Sequence, residues 1–220
     1  GPHCVMPSGK GIALLHDEGL EFIGTIKYGA RNRVRMERVT CAAASPGSDW
    51  LLTGHGSTLN LLPIRWRGSQ QENIVPGSPV ELLANLQGVT GLALNGEASL
   101  LAMAEEQGNR VSVRPLGPEG KTLSPSIAEF SLPNANACAL SPDGKWLAAG
   151  SPVPADAALW ALEEKQKLPA LESARAAHNW HPVFSRDGSW SNWPEKLLTA
   201  RPRPVRSFFR ALSMAIPAGS

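Results

Sequence analysis

Histidines, cysteines and paired carboxylates are the groups in this chain that could bind a metal or move a proton. His178 and His181 stand three residues apart, a spacing at which one helix face can hold a metal ion. Pro182 follows immediately and disfavours a helix there, and no third ligand lies nearby. Ser45, Asp49 and His55 supply the residue types of an acyl-transfer triad. A triad is a matter of geometry rather than adjacency, and Ser45-Pro46-Gly47 reads better as a turn. The carboxylate pairs Asp17-Glu18, Glu105-Glu106 and Glu163-Glu164 fall at expected turns or strand ends and read as solvated. Gly54-His55-Gly56 and Gly117-Pro118-Glu119-Gly120 lack the Lys-Ser or Lys-Thr helix start of a phosphate loop. Cys4, Cys41 and Cys138 are odd in number and far apart, against a disulfide framework or a zinc cluster. They read as reduced, buried small residues. The residues therefore assemble no catalytic set, metal site or cofactor site.

Binding chemistry is better represented. The chain has 7 Trp against 1 Tyr. Trp50, Trp146 and Trp190 recur at one position of a repeat and read as packing residues. Trp66, Trp180 and Trp193 fall outside that position and read as partner anchors, since exposed aromatics dominate interfaces. One basic stretch holds Lys27, Arg31, Arg33, Arg35 and Arg38. Another holds Arg201, Arg203, Arg206 and Arg210, interleaved with Phe208 and Phe209. Such residues can neutralise phosphates and stack on bases, so RNA contact is an expectation for the first stretch and partner binding for the second. Phe208, Leu212, Ala215 and Ile216 would share one helix face, which makes the tail a candidate docking helix.

The elements that must carry these residues follow from composition and repetition. The 220 residues carry 21 Lys+Arg and 19 Asp+Glu, and 42% are hydrophobic against 18% charged. That balance excludes a disordered chain. No apolar run reaches the ~18 residues of a membrane span. The chain opens Gly1-Pro2-His3, as a tag remnant, a processed precursor or an excerpt would. The first residues lack a secretory signal, and an intracellular place is the expectation, cytoplasmic or nuclear first and organellar as the alternative. The 21 Gly and 19 Pro favour many short strands over long helices.

The repeat gives those turns an order. Ala137-Cys138-Ala139-Leu140-Ser141-Pro142-Asp143-Gly144-Lys145-Trp146-Leu147 aligns with Thr40 to Leu52, with Gly91 to Ala102 and with Pro182 to Trp190. A weaker copy runs from Cys4 to Leu15. The anchors Pro7, Ser45, Asn95, Ser141 and Ser185 are spaced by 38, 50, 46 and 44 residues. Each copy reads as a strand, a tight hairpin and a second strand. The second strand, built from small residues as in Leu147-Ala148-Ala149-Gly150, is expected to be the inner one. A third strand of alternating character follows, as in Arg110 to Arg114, which should be half buried. Arg67 to Pro79, Gly117 to Pro125 and Glu163 to Pro169 should hold an outer strand. Units begin near 4, 40, 90, 137 and 181, and residues 1–200 carry them; residues 201–220 form a basic tail.

A period of ~40–50 residues with several strands is that of propeller blades. The run at 141–150, with Trp160 closing the third strand and Ser185-Arg186-Asp187-Gly188 repeating the turn, resembles WD-repeat β-propellers. Trp160 is followed by Ala161 where the family commonly has Asp, and the family's Gly-His pair ahead of each unit is missing. The resemblance implies an all-β propeller of about four full blades and a partial one. Seven such blades need roughly 300 residues, so an open ring completed by a partner or a second copy is expected. It also implies a non-catalytic protein–protein interaction scaffold within a larger assembly. Two other readings stand beside it: a nucleic-acid-associated propeller of a ribonucleoprotein using the Arg-rich stretches, and a propeller enzyme with an axial active site.

Overall fold

The structure is a computed structural model. It describes residues 4–8, 11–16, 19–24, 31–35, 39–47, 49–67, 73–152, 155–167, 180–184 and 190–194. For the first sheet the structure describes the backbone register. Among the described residues the chain is strand after strand, and the single helical element is a 3-10 turn at Pro118–Gly120.

Hairpins build it, and one side-chain device makes the hairpins. Ser45 Oγ accepts the backbone N–H groups of Asp49 (3.1 Å) and Trp50 (3.3 Å). Asn95 Oδ1 does the same for Ser99 and Leu100, both at 2.9 Å. Ser141 Oγ accepts from Trp146 N at 2.9 Å. All three anchors are buried, so each oxygen is enclosed with the turn N–H groups it satisfies. In the Ser141 turn the left-handed position is Gly144, φ +72. The equivalent position in the Asn95 turn is Ala98, φ +53, not a glycine. Gly96 serves instead for close approach: a Cβ there would lie 2.9 Å from the carbonyl oxygen of Pro142, which accepts the Gly96 N–H at 2.9 Å.

Ser141 Oγ also donates to Asp143 Oδ1 at 2.6 Å. That bond is the main reason the Asp143 carboxyl is held below its ordinary range, with the Lys145 N–H and charge assisting. A carboxyl depressed by folding stabilises the fold above its unfolded pKa of ~3.9 and loses that contribution as pH falls through the folded value. Ser141→Ala should cost about 1–2 kcal/mol at pH 7. The gap from wild type should narrow as pH falls from ~5 toward ~3. Urea unfolding at the two pH values checks this, and a gap constant across them would refute the Asp143 coupling.

Successive antiparallel strands form five sheets. The first is β1 (Cys4–Ser8), β2 (Gly11–His16), β3 (Gly19–Gly24) and β4 (Arg31–Arg35). The second is β5 (Cys41–Ala44), β6 (Trp50–His55), β7 (Thr58–Arg67) and β8 (Asn73–Pro76), with β9 (Val80–Leu83) also paired to β7. The third is β10 (Val89–Leu94), β11 (Leu100–Glu105), β12 (Arg110–Pro115) and β13 (Ala128–Ser131). The fourth is β14 (Ala137–Leu140), β15 (Trp146–Pro152), β16 (Ala155–Ala161) and β17 (Gln166–Lys167). The fifth shows β18 (Trp180–Phe184) and β19 (Trp190–Pro194). The outer strand of the third sheet thus lies beyond Gly117 to Pro125, which forms the 3-10 turn and its loop rather than a strand.

First strands make the seams: β1 packs on β5, β5 on β10, β10 on β14 and β14 on β18. The expectation that each second strand is innermost is corrected. A second strand is paired on both edges, whereas the first is an edge strand and is the one that packs on the first strands of the neighbouring sheets. Small residues keep the seams close. A Cβ on Gly91 would lie 3.1 Å from Ala137 Cα and 3.2 Å from Cys138 N. The chain therefore has the β-propeller fold, all-β with sheets in serial order, consistent with a partial propeller.

The third sheet sends its two faces into two different cores. Leu52, Leu59 and Leu61 meet Val89, Leu101 and Met103 between the second and third sheets. Val111, Val113 and Phe130 meet Leu147, Ala158 and Trp160 between the third and fourth. β12 is therefore buried on both sides at Val111, Ser112 and Val113, and the expected half-burial of this strand is corrected.

Candidate interaction surface

Strand direction sorts the loops. The turns from second to third strands and the links between sheets lie at one end, the linker end. The first hairpins and the turns from third to fourth strands lie at the other, the hairpin end.

At the linker end the side chains hold the loops in place. Thr40 Oγ1 donates across a seam to the Val89 carbonyl (2.5 Å), and Thr90 Oγ1 donates across the next to the Ala135 carbonyl (2.9 Å). The two threonines occupy the same repeat position. Asn136 occupies it in the fourth sheet, and its buried Oδ1 has no hydrogen-bond partner. Glu105 ends β11 and is 0% exposed. Its Oε1 accepts from Arg110 Nε at 2.8 Å, and its Oε2 from Arg110 Nη2 and from the Gln87 N–H, both at 3.0 Å. One carboxylate thus ties a turn to an inter-sheet link. The bond to Glu105 leads the effects that raise Arg110 above its ordinary pKa, against the opposing effect of burial. Asn109 Oδ1 accepts the Asn134 N–H at 2.9 Å, a second staple between the same loops. His55 is 3.0 Å from Thr53 Oγ1 through Nε2.

This overturns the reading of Glu105-Glu106 as a solvated pair: Glu106 is exposed and Glu105 is not. The signal was Arg110, placed directly opposite Glu105 in the β11–β12 register. The turn reading of Ser45 stands, because its oxygen is engaged by turn N–H groups. Among the described residues no group of three His, Cys, Asp or Glu could hold a metal ion. Cys41 and Cys138 carry thiols. Burial, then the Cys41 charge, pushes the Cys138 thiol well above its ordinary range, so it is held protonated and unreactive.

The structure separates the proposed anchors. Trp66 is near the hairpin end of β7, opposite Ile74 of β8. Trp180 opens β18 and Trp193 lies opposite His181 on β19, both at the linker end of the fifth sheet. Arg31, Arg33 and Arg35 alternate along β4 opposite Ile23, Glu21 and Gly19. Lys27, Arg38 and the tail residues Arg201, Arg203, Arg206, Phe208, Phe209 and Arg210 lie outside the described residues. No helix among the described residues is long and apolar enough to cross a membrane.

No family model matches the chain, and no curated protein matches it by sequence. Solved structures do. Hsv2 of Kluyveromyces lactis is 13% identical, with a TM-score of 0.61 over 84% of this chain and 62% of its own. The Cps50 (Swd1) β-propeller domain of Myceliophteria thermophila is 14% identical, with a TM-score of 0.57 over 84% and 66%. A putative 6-phosphogluconolactonase of Bacteroides fragilis is 17% identical, with a TM-score of 0.63 over 85% and 61%. The chain spans about three fifths of the length of such structures. At these identities the likeness is one of fold: this chain is built as a β-propeller.

Proposed function

We propose that the chain is a non-catalytic scaffold of WD-repeat type that holds protein partners within a larger assembly. The observation that carries this reading is the use made of Glu105. The buried carboxylate at the linker end is committed to Arg110 and the Gln87 N–H, so it fixes loops instead of facing a substrate. Rigid loops cut the ordering cost of binding. In this reading Trp66, Trp180 and Trp193 anchor partners, and the basic tail docks on one of them. Enzyme propellers share the fold, as the putative 6-phosphogluconolactonase of Bacteroides fragilis illustrates, and fold alone does not decide function.

Native mass measurement of the chain purified from its source tests the proposal. Stoichiometric co-purifying proteins that survive nuclease treatment are expected. A nuclease-sensitive, strongly salt-dependent complex would favour the ribonucleoprotein reading instead, with Lys27, Arg31, Arg33, Arg35 and Arg38 as the contacts. A lone chain that turns over a small substrate would overturn both.

A further inference from the structure

Val80 and Ile127 are 51% and 47% exposed, two of the three exposed large aliphatic residues among those described. Register places them on facing walls. Val80 lies opposite Leu61, whose side packs toward the third sheet. In the third sheet, Leu101 and Met103 face back toward the second. Arg114 and Ser112 lie opposite them on β12, and Glu129 lies opposite Ser112 on β13. Ile127 alternates with Ala128, which belongs to the other core, so it shares the side of Arg114 and Glu129. The outer rims of the second and third sheets therefore present an aliphatic residue each toward the gap between them, and the Gly117 to Pro125 loop reaches into that gap, with Gly120 packed on Leu61 and Trp50.

The polar floor of the gap is unsatisfied. Arg114 Nε and Ser112 Oγ are both buried without a hydrogen-bond partner. Arg114 Nη1 donates weakly to the Ser124 carbonyl at 3.4 Å. Arg110 is spent on Glu105. Glu129 accepts from Ser126 Oγ at 2.6 Å, and its field acts on Arg110. A guanidinium with a free buried N–H calls for an acceptor of opposite charge, and a carboxylate takes two of its donors in parallel. Both flanking strands, β9 and β13, are outer edges, where an extended chain fits.

We infer that this gap is a groove that docks an acidic peptide segment of a partner protein, with a carboxylate on Arg114 and an aliphatic side chain between Val80 and Ile127. The inference deepens the scaffold reading and rests on it. Selection of random 12-residue peptides from a display library on the full chain tests it. Enriched peptides should combine an acid with an aliphatic residue. Their synthetic forms should bind at least tenfold more weakly to Arg114→Gln and to Val80→Asp, with circular dichroism unchanged. An Asp-to-Asn or Glu-to-Gln exchange in the peptide should cost wild type the same tenfold and cost Arg114→Gln little further. No enrichment, acid-free sequences, or equal binding to the variants would overturn the groove. Peptides whose binding survives these substitutions but falls on Trp180→Ala would refute the groove while sparing the scaffold.

Discussion

Arg110→Met should destabilise the protein by about 3 kcal/mol at neutral pH, the low end of the range for breaking a buried ion pair. The low end applies because the Arg110 side chain is 36% exposed, whereas that of Glu105 is fully enclosed. The substitution leaves a carboxylate with one N–H, from Gln87, in place of three. Glu105→Gln combined with Arg110→Met removes the stranded charge and should recover a large share of the loss, since buried pairs often exchange for neutral side chains at little cost. Urea midpoints of the wild type, both single variants and the double variant form the cycle that isolates the coupling. A loss below about 1 kcal/mol in Arg110→Met would mean the pair behaves as a solvated one.

Trp160→Ala should cost about 3–5 kcal/mol. The indole is 3% exposed and stacks on Phe130 with ring centroids 4.9 Å apart. Because Phe130 belongs to the third sheet and Trp160 to the fourth, the cavity would open at a seam where two independent sheets must stay in register. Trp160→Phe keeps an aromatic face there and should cost less than half as much. Thermal unfolding with a matched urea series checks both. An alanine variant within about 1 kcal/mol of wild type would show that the seam closes over the gap.

What sequence revealed and what it hid divide by range. The hairpins were legible because Ser45, Asn95 and Ser141 act on N–H groups four or five residues away, so cause and effect share one short stretch of chain. The left-handed turn position was only partly legible: Gly144 announces it, while Ala98 occupies it without the residue type that signals it. Glu105 was misread because its burial depends on the neighbouring sheet and the link through Gln87, whereas its neighbour Glu106 does point to water. The strand from Arg110 to Arg114 alternates in sequence, yet both faces are covered, since the third sheet is flanked on two sides. The inferred groove was invisible for the same reason: Val80 and Ile127 lie 47 residues apart, and only the registers of two sheets turn them toward the same gap. Trp66, Trp180 and Trp193 could be singled out by breaking the repeat, but repetition says nothing of what they touch.

The serial seams give the molecule an unusual thermodynamic dimension. With β5 on β10 and β10 on β14, the third sheet shares its described cores with the one before and the one after. The molecule's free energy then resembles that of a short linear lattice, intrinsic contributions plus nearest-neighbour couplings. Small, tight contacts such as Gly91 against Ala137 set the strength of those couplings. Damage at one seam is felt by two sheets and hardly beyond, so loops two sheets apart should change without disturbing one another. In the scaffold reading proposed above, that independence would let a single framework carry several unrelated recognition surfaces around its rim.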